Sequence, residues 1–320
     1  MTDDLVSRYA ARLLIESLNE RFGASFDVID AADDVFIASD GAHRAGIYVA
    51  PLWEREEAPA WEERLRALAG RLNPPDGTGA YLLWVPPRAD VPFDEPAVSE
   101  FVARVEAAAS GLAPGQRIEV PFPVTVKMGK MREEGGYASV VGGLSRWWTR
   151  ITEKVNGTFS VDSSAVHRLT DDGSAREELW ETIGRLSLSV GVGQAVDFEI
   201  DEAWTLQRLP ESDADGVPAL SGAEGFALVG GPPSLDPTEG VVVRRMARRR
   251  LQAANEALGT LDVELRVVGL IGLYEYAEVE TASGTIKAID PSLYSRFEVV
   301  SLFVDGEARP VFLPRALPWA

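Results

Sequence analysis

The sequence contains no cysteine. That absence excludes disulfides, thiolate zinc sites, iron–sulfur clusters and cysteine nucleophiles together. Only two histidines occur, His43 and His167, far apart in the chain. No three-histidine site can form within one chain, and no zincin pair sits on one helical turn. Any metal would have to be held mainly by carboxylates, which favours magnesium, calcium or manganese. Lysine is scarce, with four residues against 27 arginines, and asparagine plus glutamine total eight beside 20 prolines. Such a composition fits a thermophilic protein and a GC-rich genome equally.

No run approaches the ~18 apolar residues of a membrane span, and the first residues, Met1-Thr2-Asp3-Asp4, are acidic where a secretory signal is basic. The expectation is a soluble, cytoplasmic protein. Neither a phosphate loop ending in Gly-Lys-Ser/Thr nor a Gly-x-Ser-x-Gly elbow is present. Gly191-Val192-Gly193 lacks the third glycine of a dinucleotide turn and follows a helix, so it reads as a bent strand. No cofactor is expected.

What is present is acid. The 320 residues carry 31 basic and 50 acidic side chains, a net charge of -19, with 46% apolar residues. The length suggests two domains at ~150 residues each. Leu5, Val6, Tyr9, Leu13, Leu14 and Leu18 recur at helical spacing, closed by Gly23. Short extended pieces follow at 26–29, 35–39 and 46–50, with Asp40-Gly41 as a turn. A helix is expected over 59–72, a strand buried on both faces over 80–85, and a helix over 95–110. A strand over 117–127 contains Pro121 and Pro123, which make part of it an edge.

Residues 127–137 read as a glycine-rich loop or hairpin tip. Helices are expected over 144–155, capped by Ser145, and over 174–186, opened by a Ser174/Glu177 capping box. A strand should run over 190–200. Asp236-Pro237-Thr238-Glu239 is a helix start for 237–258, and mostly antiparallel strands should fill 263–271, 274–280, 297–304 and 308–313. Thr281 to Gly284 and Asp305-Gly306 should supply turns. The fold class is α/β (α+β): a helix-flanked mixed sheet over 1–115, then helices with antiparallel strands over 116–320, the boundary lying near 112–116.

The order helix, three strands, helix, strand resembles the core of the restriction-endonuclease-like superfamily over residues 1–115. The resemblance implies an acid at Asp34 or Asp40 and a first-helix acid at Glu16 or Glu20. It also implies an acid-x-lysine triplet on the third strand, where this chain reads Ile47-Tyr48-Val49-Ala50. Without those ligands the family's magnesium site cannot assemble, so the resemblance implies a catalytically silent relative.

Three constellations remain. Asp197, Glu199 and Asp201 alternate with Val196, Phe198 and Ile200, so a strand aims three carboxylates, ~7 Å apart, to one face. They suit either a hard cation or a solvated acidic surface. Ser163, His167 and Asp162 formally compose a triad, although no nucleophile elbow or oxyanion loop accompanies them.

Basic groups concentrate in two places. Lys127, Lys130, Arg132 and Arg146 fall close to Arg150, Lys154, Tyr137, Trp147 and Trp148. Arg244, Arg245, Arg248 and Arg249 stack as 244/248 and 245/249 pairs on a helix. Either set could bind an anion, nucleic acid included, or neutralise acidic faces within or between subunits. The missing catalytic motifs and segregated charge favour a non-enzymatic binding or assembly protein that acts through a protein partner or its own second copy. The alternative is a nucleic-acid-associated protein.

Overall fold

The computed structural model describes all residues except 1, 33, 54–58, 76, 78, 87–88, 211–224, 233–239, 273–282, 305 and 320. The expected helix start at 236–239 and strand at 274–280 lie outside the described residues, as do Thr281, Ala282 and Asp305. The chain is α/β and divides into two compact units. Unit 1 takes residues 1–87, 92–118 and 205–320, and unit 2 takes 88–91 and 119–204. The second unit is therefore inserted in the first. The chain enters it at 118/119, close to the expected boundary, but returns at 204/205 instead of continuing to the C-terminus.

In unit 1, α1 (Thr2–Phe22) ends at Gly23, whose φ of 63° suits glycine. It is followed by β1 (Asp27–Ala32), β2 (Val35–Ser39) and β3 (Arg44–Pro51), paired antiparallel. Asp40 closes the β2–β3 turn by accepting hydrogen bonds from the Ala42 and His43 amides at 2.9 and 2.7 Å. Then come α2 (Pro59–Ala69), β4 (Ala80–Trp84), α3 (Ala97–Ala109) and the start of β5 (Arg117–Arg132).

After the insertion the unit resumes with the end of β8 (Ala195–Arg208), β9 (Gly225–Val229), α6 (Gly240–Gly259), β10 (Leu265–Ile271), β11 (Val299–Val304) and β12 (Glu307–Phe312). Residues 283–287 are helical, so Ser283 and Gly284 lie in a helix where a turn was expected. The main sheet has the order β1-β2-β3-β10-β11-β12.

Pairing in that sheet differs from the mostly antiparallel expectation. β10 is parallel to both β3 and β11, and of the strands after β9 only β12 among the described residues turns back. Parallel strands need both faces covered, and the residues supply it. Ile47, Val49, Val267 and Phe303 join the α1 core, while Tyr48, Val268, Leu270 and Leu302 join the α6 core. β4 lies elsewhere, between β9 and the end of β8, where Tyr81–Trp84 pair with Thr205–Arg208.

Unit 2 contains the rest of β5, β6 (Gly136–Gly142), α4 (Trp148–Lys154), β7 (Gly157–Ser163), α5 (Gly173–Ser189) and most of β8. Its strands lie in the order β6-β7-β5-β8. Pro121 and Pro123 fall where β5 has no β7 partner, since that pairing covers only Lys127–Arg132. This half of β5 is an edge, as the prolines imply.

Three local expectations are corrected. Residues 127–132 are strand, not loop, and the tip is confined to about 133–135. A 3-10 turn at Gly143–Trp147 precedes α4, so Ser145 caps nothing. The cap of α5 lies two residues earlier than its Ser/Glu box suggests: Asp172 is the cap and accepts from the Ser174 amide.

Candidate functional site

Among the described residues of unit 2, the helices cover one face of its sheet. Val126, Met128, Ala138, Phe159 and Val161 point inward against Ile151, Trp180 and Ile183 of the two helices. The alternate residues form an open face in three cross-strand rows. One row holds Val141, Asp162 and Lys127, the next Ser139, Ser160 and Gly129, and the third Tyr137, Thr158 and Arg132. Tyr137, Val141 and Met131 are each more than half exposed, an unusual allotment for large apolar side chains on one small sheet.

The strand geometry disperses the basic cluster expected on β5. Lys127 stands beside Asp162 on the open face. Hydrogen bonds from Ser164 hold the Asp162 carboxyl below its ordinary value, and the Lys127 charge adds to the effect. Lys130 points the other way: it is 8% exposed, lies 5.8 Å from the centre of the Phe159 ring, and pairs with Glu133 at 2.7 Å. Arg132 and Arg146 are exposed, and Arg146 lies over Trp147. Trp147 packs against Trp180, whereas Trp148 is about half exposed. Lys127, Lys130 and Arg132 thus make no common anion pocket.

Arg244, Arg245, Arg248 and Arg249 belong to unit 1, where all four lie on the exposed side of α6 opposite Val243, Met246, Ala247 and Leu251. Arg244 and Arg245 make no ion pair with a described residue. Arg248 is close enough to Asp290 to help lower its carboxyl, after the hydrogen bonds from Ser292. Arg250 is structural, donating to the Pro51 and Trp53 carbonyls at 2.8 and 2.5 Å.

Asp197, Glu199 and Asp201 are exposed on one face of β8, as alternation requires. No group of three histidine, aspartate or glutamate side chains among the described residues is placed to hold a metal ion. Glu199 and Asp201 instead help line a cleft of about 360 Å³ with Glu178, Leu179, Leu169 and Ile200. Asp40 is occupied by its turn, and Glu16 pairs with Arg12 at 2.5 Å.

The formal triad does not form. Ser163 Oγ donates to the Val141 carbonyl at 2.6 Å and accepts from the Leu144 amide at 3.1 Å, which fixes the turn after β6. Asp162 is engaged by Ser164. His167 turns to Glu202, a buried carboxyl absent from the candidates drawn from sequence alone. Its signal was the strand period: 200, 202 and 204 share the inward face, so a charge at 202 had to be buried.

Comparison with family models, with curated proteins and with solved structures finds no match to the chain. Among the described residues, no helix is long and apolar enough to cross a membrane.

Proposed function

We propose that this chain is a non-enzymatic binding or assembly protein that works through a protein partner, its own second copy included, and that unit 2 carries the recognition surface. The observation that supports this most is the open sheet face, with Tyr137, Val141 and Met131 exposed and Lys127 standing opposite Asp162. Exposed apolar and aromatic residues on a rigid sheet are the ordinary material of protein interfaces. Around them acids outnumber bases, with Asp162, Asp197 and Glu199 against Lys127 and Arg132, an arrangement that disfavours phosphate. The dispersal of Ser163, His167 and Asp162 to separate partners speaks against acyl-transfer chemistry.

A second reading has one observation of its own. The exposed α6 arginines offer a phosphate-binding stripe. Under it the protein is nucleic-acid-associated, and residues 1–115 are a silent nuclease relative whose third strand, Ile47 to Ala50, is buried and without an acid or lysine. Gel shift with duplex and single-stranded DNA, run beside light scattering, separates the two. The first reading expects no shift at low salt and a mass above the monomer or a defined protein complex. Micromolar binding that weakens steeply with salt, and whose slope falls in Arg244→Glu/Arg248→Glu, would overturn it.

A further inference from the structure

We propose that the cleft between α5 and the outer edge of β8 takes an extended basic peptide as an added strand. This inference rests on the protein-binding reading above and names the chemistry of the partner.

The edge is available. β8 has β5 on one side, while β4 reaches only Thr205–Arg208 on the other. Among the described residues, the outer edge of Ala195–Asp201 carries no strand. It is competent to pair, because the chain uses it once: Leu169 bridges Glu202, and the Ala203 amide donates to the Arg168 carbonyl at 3.0 Å. The segment then leaves for α5. Hydrogen-bonding direction alternates along an antiparallel strand, so the amides and carbonyls of Asp197 and Glu199 lie on the same edge as that of Ala203. Seven residues of edge span ~23 Å at about 3.3 Å each, enough for a peptide of similar length.

The cleft follows that edge. Glu199, Ile200 and Asp201 line it together with Pro123 of β5 and with Leu169 and Thr170 of the bridging segment, so the cleft reaches the outer edge from the face of the sheet. Across it stand Ala175, Glu178, Leu179 and Thr182, one face of α5 at helical spacing. A groove between an edge strand and a helix is a recurrent seat for strand addition.

The walls specify the side chains. Asp197, Glu199 and Asp201 share the exposed face of β8, and Glu178 adds a fourth carboxylate from α5. Arg176 is the one basic lining residue among the described residues, and its guanidinium already donates to the Asp171 carbonyl and lies over Trp147. A strand laid here would set every second side chain opposite Asp197, Glu199 and Asp201, where lysine or arginine is favoured. The intervening side chains would face Leu179, Leu169 and Ile200. The ligand therefore alternates basic and apolar residues.

The test is fluorescence anisotropy of the intact chain with a labelled Lys-Val-Lys-Val-Lys-Val-Lys peptide. Three comparison peptides are needed: a glutamate-for-lysine version, a block-ordered isomer, and one N-methylated at alternate backbone nitrogens. The alternating peptide should bind, and Glu199→Lys/Asp201→Lys should weaken it at least tenfold without altering the circular dichroism. N-methylation and block order should each weaken it comparably, because they spare the charge and remove the pairing or the pattern. Equal affinity for the N-methylated or block peptide would overturn strand addition, leaving charge alone. If no peptide binds while light scattering still shows a protein assembly, the cleft assignment is wrong and the protein-binding reading survives.

Discussion

His167 and Glu202 approach to 3.3 Å, Nδ1 to Oε1, with the carboxyl fully buried. The two side chains are in close contact without a well-aligned hydrogen bond. Burial pushes the Glu202 carboxyl above its ordinary value of 4.5, and His167 only partly opposes it. A raised carboxyl favours folding while it is protonated, so its contribution is complete below the unfolded value and is lost as pH rises through the folded one. Glu202→Gln should therefore raise the melting temperature at pH 7, with the gain shrinking to nothing below about pH 4. Thermal melts of both proteins across pH 4–8 check the sign.

The turn after β6 should tolerate no side chain. A Cβ on Gly143 would sit 1.9 Å from the Val166 carbonyl, and one on Gly142, where φ is +86°, would sit 2.3 Å from that of Ser163. Gly142→Ala and Gly143→Ala should each cost about 2–4 kcal/mol, through strain and clash. Gly173→Ala, in open space at the start of α5, should change stability little. Urea melts of the three variants give the comparison.

Lys127 and Lys130 should behave unlike each other. Lys127→Ala on the open face should stay within about 0.5 kcal/mol of the parent. Lys130→Ala removes a buried stem against Phe159 and the partner of Glu133, and should cost about 1–3 kcal/mol. Equal, small effects would show Lys130 to be exposed in solution.

Much of unit 1 was legible because its signals are local. The apolar spacing of α1, the continuous run of β4 and the Asp40-Gly41 turn each fix an element within a few residues. The parallel placement of β10 between β3 and β11 was not, since it joins segments more than 200 residues apart in the chain. The insertion of residues 119–204 into unit 1 is likewise a tertiary fact.

At the site the difficulty was the strand around Lys127. Positions 127 and 130 differ by an odd number, so a strand sends them to opposite faces and breaks the cluster. Gly129, Gly135 and Gly136 disguise that strand as a loop. The acidic alternation of Asp197, Glu199 and Asp201 was legible, but the cleft beside it depends on where α5 packs.

The most direct test of the account is one anisotropy titration of the intact chain against two labelled ligands in the same low-salt buffer. One is the alternating lysine–valine peptide and the other is single-stranded DNA of similar length. The account predicts saturable binding of the peptide, weakened at least tenfold in Glu199→Lys/Asp201→Lys, and no binding of the DNA. Micromolar DNA binding with a steep salt dependence, beside a peptide that does not bind, would contradict it.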